Sequence, residues 1–248
     1  MPVDCPAGEH GLPSYAPLYG RGVSMSSIKR MVIVILTFAV LALPGSALSG
    51  SEEMLFALGQ HRFEAKRYNE AIACFSSVID SENISDKNKA AAYGWRGIAR
   101  AAKGEYKEAV IDFDSAIELN RDDPSLWFNR GTALVAQGLF DKAHESVTKA
   151  ISLDQENYSY YYSRGAIRVK LKDYKEARDD FTAAIAIDDA RAGAYYERAR
   201  IAAILEEYDK ALKDIEKAAS LNPDNGTYDA LRREVLEKQE GAKSKKGK

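Results

Sequence analysis

The chain has few of the residues on which disulfide-stapled domains, metal centres and many enzymes are built. Its 248 residues include two cysteines, Cys5 and Cys74, which excludes a disulfide framework. Cys74 reads as a small buried apolar residue, with intermolecular pairing as the second reading. The three histidines, His10, His61 and His144, stand far apart, so no metal site is expected. The nucleophile elbow GxSxG, the zinc-binding HExxH and a glycine-rich phosphate loop are all missing, so no catalytic residue, no cofactor and no enzyme activity are expected. A net charge of −2 offers no global attraction for nucleic acid or anionic membranes, and neither is expected as a partner.

Long apolar runs are scarce too. The one strong run is Met31–Leu43, preceded by Lys29 and Arg30 and followed by Pro44, Gly45, Ser46, Ala47, Leu48 and Ser49. A basic flank, a short apolar core, a helix breaker and small residues describe a secretory signal peptide over residues 25–49, cleaved after Ala47 or after Ser49. The core falls short of the roughly 20 residues that span a bilayer, so an uncleaved anchor, giving a membrane-tethered protein, is the second reading. Residues 1–24 are rich in Pro and Gly without periodicity. They form an extension ahead of Met25, whose MSSIKR leader is the alternative start. The implied destination is the bacterial periplasm or the medium, with no membrane association after cleavage.

What the chain does have is a period. Tyr106, Phe140, Tyr174 and Tyr208 are 34 residues apart, and Tyr68 precedes Tyr106 by 38. Each is followed three residues later by Ala71, Ala109, Ala143, Ala177 or Ala211. Four further on stand Phe75, Phe113, Val147, Phe181 and Ile215, and three beyond those Val78, Ala116, Ala150, Ala184 and Ala218. Small residues recur ahead of each ladder as Gly59, Gly97, Gly131, Gly165 and Ala199, where two helices approach closely.

This pattern resembles the tetratricopeptide repeat, a helix–turn–helix unit that stacks into a solenoid. The resemblance implies an all-α fold, a right-handed α-solenoid of stacked antiparallel helix pairs. Five units span 52–85, 90–123, 124–157, 158–191 and 192–225, and the insertion Asp86–Lys89 between the first two predicts a looser first joint. A capping helix over 227–240 presents Tyr228, Leu231 and Val235 on one face, and 241–248 forms a disordered basic tail. Gly104 and Gly138 end first helices in the left-handed conformation, and Lys66, Lys172 and Glu206 hold that place in the other units, at a cost of up to about 1 kcal/mol each.

Arginine recurs just before the small first-helix residue, as Arg96, Arg130, Arg164 and Arg198. Asp112, Asp180 and Asp214 stand opposite on the second helices, while the third repeat has Ser146 there and the first repeat has Leu58 and Cys74. Arg96–Asp112, Arg164–Asp180 and Arg198–Asp214 therefore read as structural ion pairs within each repeat. The second reading is an arginine ladder for an anionic ligand, with Arg62, Arg100 and Arg168 added. The matched aspartates argue against it by neutralising the charge.

The resemblance also implies an inner groove lined by first helices. Their surface positions map to Phe56, Trp95, Phe128, Asn129, Thr132, Tyr162, Lys170, Tyr196 and Arg200. Two readings stand for the aromatic stripe: packing between neighbouring helices, or an aromatic-rich groove for an extended peptide or amphipathic helix of a protein partner. The carboxylate clamp by which some relatives hold heat-shock proteins is disfavoured, because only Asn129 resembles one of its members. Sequons at Asn83, Asn157 and Asn225 fall at inter-repeat turns, where turn composition alone produces them. The expected function is a non-catalytic binding scaffold. A ligand-binding regulatory subunit for an anionic ligand is an alternative.

Overall fold

Side-chain caps open several of the first helices. Asp123 accepts a hydrogen bond from the Ser125 amide at 2.9 Å, and Pro124 follows in the first helical position, where a missing amide costs nothing. Asn157 caps the next unit in the same way through the Ser159 amide at 3.0 Å. The computed structural model describes residues 48–246, with Asn83 left out. The extension 1–24 and the apolar run Met31–Leu43 lie outside the described residues, and only Leu48 and Ser49 of the expected signal segment 25–49 fall within them.

The described residues form eleven helices and no strand. They are α1 (Leu48–Glu64), α2 (Tyr68–Ile79), α3 (Asp86–Ala102), α4 (Tyr106–Leu119), α5 (Pro124–Ala136) and α6 (Phe140–Leu153). There follow α7 (Tyr158–Leu171), α8 (Tyr174–Ile187), α9 (Ala192–Ile204), α10 (Tyr208–Leu221) and α11 (Thr227–Lys246). Odd-numbered helices are the first helices of the units and even-numbered ones the second. Each packs on its neighbour in sequence, so the protein is an all-α solenoid of antiparallel pairs.

The ladder residues fill the seam within each pair. Ala71, Phe75, Ala109, Phe113, Ala143, Val147, Ala177, Phe181, Ala211 and Ile215 are all fully buried. The small first-helix residues are what admit the rings. A Cβ on Gly97 would stand 2.9 Å from Phe113 Cε1, and one on Gly59 2.7 Å from Phe75 Cε1. Between units, Ala92, Leu126, Tyr160 and Ala194 are buried, each clustered with the preceding second helix. Ala99, Ala133, Ile167 and Ile201 fill a second slot in the same joints. The first helices also touch one another, α1 with α3, α3 with α5 and α9 with α11, which places them on the inner side of the stack.

Two expectations change. Asp86–Lys89 is not a loosened joint but the first turn of α3, which runs 17 residues, capped by Ser85 through the Asn88 amide at 3.3 Å. Four residues are close to one turn of helix, so the insertion lengthens α3 without shifting the face it presents. At the other end α11 continues through Gly241 to Lys246, where a disordered tail was expected. A Lys238–Glu234 pair at 2.6 Å and a Ser244 hydroxyl donating to the Glu240 carbonyl hold these turns, against the roughly 1 kcal/mol that a helical glycine costs.

The turns within the pairs have one backbone requirement. Gly104 and Gly138 adopt φ of +84° and +75°, and Lys66, Lys172 and Glu206 occupy the same place at +58°, +67° and +60°. A side chain there meets the backbone, so three of the five turns carry strain that two avoid.

Candidate functional site

The inner surface is built from residues on the first helices that face away from the seam. Phe56, Phe128, Tyr162 and Tyr196 keep one register along it. Each is half-buried and engaged by a neighbour. Phe56 packs its edge on Phe75 at 5.5 Å, and Phe128 lies 4.8 Å from Tyr160. Tyr162 stacks on Tyr158 at 5.7 Å and meets Phe181 edge-on at 5.4 Å. Tyr196 leans on Tyr228 of α11 at 5.5 Å. Burial pushes the Tyr162 phenol up, with Glu197 adding to the effect, and holds Tyr158 up at about 12 despite the nearby Arg191. These rings form the floor of the surface and join successive units.

Trp95 does not belong to that row. It is 7% exposed, stacked on Phe75 at 6.1 Å and edge-on to Phe63 at 5.8 Å. The residue in register with Phe128 is Gly94, where a Cβ would stand 2.9 Å from Leu126 Cδ2. One residue is about 100° of helix rotation. That is enough to carry the indole from the inner surface into the joint with α2.

Asn129 and Thr132 are half-buried in α5, and the Thr132 hydroxyl donates to the Phe128 carbonyl at 3.0 Å. Lys170 and Arg200 are exposed. Arg200 pairs with Glu197 at 2.9 Å and stands 6.0 Å over the Tyr196 ring. Two further surface positions follow from the period: Ala166 is exposed one unit before Arg200, and Ile204 is 48% exposed one unit after Lys170. Extending the 34-residue spacing from Lys170 finds Ile204 directly. The inner surface thus offers cationic and aliphatic tips at its C-terminal half above an aromatic floor.

The arginine row lies on the other side of the same helices. Arg96 donates from Nη2 to Asp112 at 2.8 Å and from Nε at 3.1 Å, and Arg100 reaches the other oxygen of Asp112 at 2.9 Å. Arg164 and Arg168 hold Asp180 in the same way, each at 2.7 Å. Arg198 pairs with Asp214 at 2.7 Å, and that bond raises the arginine's already high pKa. Asp112 and Asp180 are 1% and 3% exposed, so these are interior pairs.

Each arginine also reaches back across the joint: Arg96 to Ser76, Arg164 to Thr148 and Arg198 to Thr182. Arg130, which faces Ser146 at 2.7 Å, takes its carboxylate from the preceding unit instead, Asp114 at 2.6 Å. The third repeat exchanges the hydroxyl and the carboxylate between the two sides and keeps the arginine satisfied. Residues 62, 100 and 168 join no continuous ladder, since Arg62 turns to Glu70 at 3.4 Å.

His144 accepts a hydrogen bond at Nε2 from Arg168 at 3.3 Å. Burial lowers its pKa, and the adjacent Arg168 and Arg164 lower it further. Burial raises the thiol pKa of Cys74. Among the described residues no group of three or more His, Cys, Asp and Glu is placed to hold a metal ion, and no helix is long and apolar enough to cross a membrane.

Comparison with known proteins bears on the fold. YrrB, described as a TPR protein with an unusual peptide-binding site, is 22% identical, with a TM-score of 0.61 over 74% of this chain and 90% of its own. A tetratricopeptide repeat protein from Parabacteroides merdae reaches a TM-score of 0.67 at 18% identity, covering 75% of this chain and 72% of its own. MamA from Desulfovibrio magneticus RS-1 gives 0.65 at 15% identity, over 73% and 99%. Among curated protein sequences none matches. Family models described as TPR repeat and tetratricopeptide repeat match residues 97–138, 128–192 and 192–225. The matched stretches run through units two to five from Gly97 to Asn225, and the chain belongs to the tetratricopeptide repeat family.

Proposed function

We propose that the protein is an exported, non-catalytic scaffold that holds a peptide or helix of a protein partner along its inner, first-helix surface. Chains of this family are typically protein-interaction scaffolds. The observation that carries the groove reading is the pairing of an aromatic floor with exposed Lys170, Arg200 and Ile204 on adjacent first helices. A floor already locked by its neighbours needs no ordering on binding, which lowers the entropic cost of association. The peptide-binding site described for YrrB, a protein of similar fold, supports this class of ligand. The arginine row does not favour an anionic small molecule, because Arg96, Arg164 and Arg198 spend their donors on Asp112, Asp180 and Asp214.

Export rests on the leader before Leu48, and the periplasm or the medium is the compartment it points to. N-terminal sequencing of the protein recovered outside the cytoplasm tests this. A start at Leu48 or Gly50 supports the cleaved leader, and an intact Met31–Leu43 run supports a membrane-tethered scaffold. For the groove, the test is partner recovery with Lys170→Glu plus Arg200→Glu, against Lys142→Glu plus Lys149→Glu on the exposed side of α6. Recovery falls for the first pair and holds for the second. Equal recovery from both pairs would sink the assignment.

A further inference from the structure

Each second helix turns one residue toward the first helix of the next unit, and down the chain these are Ile72, Val110, His144, Arg178 and Leu212. Ile72, Val110 and Leu212 pack into apolar clusters with Ala99, Ala133 and Val235 of the helix that follows. Arg178 instead closes the joint between units four and five through Glu207 at 3.4 Å. Between units three and four the place is held by His144, which accepts at Nε2 from Arg168 Nε at 3.3 Å. Of these five side chains, only His144 changes charge between about pH 5 and 8.

Arg168 has no freedom to turn away from the ring. Its Nη1 donates to Asp180 at 2.7 Å and to the Glu176 carbonyl at 3.2 Å. A protonated imidazole is a donor at both nitrogens, so Nε2–H would face a fixed N–H of like charge. The groups around His144 do not offset this. From α7 come Arg164 and Arg168, from α8 Asp180, and from the turn before α8 Asp173. Asp180 is already shared by the two arginines, and Asp173 is exposed. From α5, Arg130 is taken up by Ser146 and Asp114, and on α6 itself Asp141 is exposed. Burial, and after it Arg168 and Arg164, lower the ring's pKa, so the packed joint holds the neutral form. As the pH falls through that lowered value, the bond that closes the joint is lost.

We propose that the joint between units three and four is an acid-sensitive hinge, locked by the Arg168–His144 hydrogen bond and released when His144 gains a proton. The joint sets the spacing of the inner surface at its middle, because Phe128 and Asn129 stand on α5 and Tyr162 and Lys170 on α7. Phe128 and Tyr160, 4.8 Å apart, meet across it. Release of the hinge moves Lys170 relative to Phe128, so a partner held along both is shed as the pH falls. That consequence rests on the groove reading, whereas the hinge itself does not.

The experiment measures the hinge without a partner, by electron-spin distance measurements on the full chain in a Cys5→Ala, Cys74→Ala background. Nitroxides at Ile111→Cys and Lys213→Cys, both exposed, flank the joint, and a pair at Ser77→Cys and Lys149→Cys, also exposed, stays on one side of it. Between about pH 7.5 and pH 5 the first distance is expected to shift by about 2 Å or more, the scale of helix shifts at switching interfaces, while the second holds. His144→Gln keeps an acceptor for Arg168 and does not titrate, and His144→Val copies Val110 of the second unit. Both are expected to abolish the shift. An unchanged 111–213 distance in the parent overturns the proposal, as does an equal shift in both His144 variants or in the 77–149 pair. Loss of helix by circular dichroism in the parent at pH 5 also overturns it, since that is unfolding of the array and not motion at one joint.

Discussion

Replacing Asp112 by cysteine separates an interior ion pair that the fold depends on from a surface one that it does not. Asp112 is 1% exposed and accepts from Arg96 at 2.8 Å and Arg100 at 2.9 Å, so its loss strands two guanidinium groups that are themselves mostly buried. Breaking a buried pair on one side costs about 3–5 kcal/mol, because the remaining charge keeps its desolvation penalty. Asp114, which serves Arg130 in the next unit, is 47% exposed, and its removal should cost about 0–1 kcal/mol. The first repeat supplies the control, since it has Leu58 and Cys74 where the second has Arg96 and Asp112. Arg96→Leu with Asp112→Cys therefore recreates a combination the chain already uses, and leaves Arg100 near Glu108 as Arg62 lies near Glu70. The double variant should recover about 2 kcal/mol or more of the single-variant loss, a coupling within the range for directly bonded partners. Urea unfolding followed by circular dichroism reads the midpoints, with an unchanged slope showing that the native array still unfolds as a whole. A loss below about 1 kcal/mol for Asp112→Cys, or a double variant equal to the sum of its singles, would refute the interior-pair reasoning.

Two other perturbations follow from the turns and from the one histidine held beside arginines. Lys66→Gly, Lys172→Gly and Glu206→Gly each relieve a left-handed residue and should raise stability by up to about 1 kcal/mol, read as a higher urea midpoint. His144 is held below its ordinary pKa by burial and then by Arg168 and Arg164, with Asp180 and Asp173 opposing. The folded protein thus binds fewer protons at this site than the unfolded chain. The site's contribution is intact above the unfolded value of about 6.5 and is lost as pH falls through the lower folded value. His144→Gln should flatten the fall in melting temperature below pH ~6.5, and an unchanged slope would remove His144 as its source.

The seam was legible because burial repeats: each Ala–Phe–Ala step faces the same environment 34 residues later, so chance matches do not survive five units. The left-handed turns were legible for the same reason, with Gly104 and Gly138 revealing what Lys66, Lys172 and Glu206 must do. What escaped the sequence depends on angle or on a neighbour. Trp95 sits one residue from the aromatic register, and composition alone does not separate a wall from a joint. Arg130 looked unpaired because its carboxylate, Asp114, belongs to the previous unit. Asp86–Lys89 looked like a linker because an insertion in a repeat marks a break, yet its length is close to one helical turn. Lys170 and Arg200 reach the surface, while the rings of Phe128, Tyr162 and Tyr196 are largely engaged with neighbouring helices, so the stripe is both packing and floor.

Site-specific photocrosslinking in the producing cell tests the binding claim most directly. A photoreactive phenylalanine analogue at Ala166, exposed on the inner surface between Tyr162 and Lys170, is compared with the same group at Ile111 on the exposed side of α4. The account predicts a discrete protein adduct from position 166, lost on adding Lys170→Glu and Arg200→Glu, and none from position 111. The same adduct from both positions, or an adduct from position 111 alone, would contradict it.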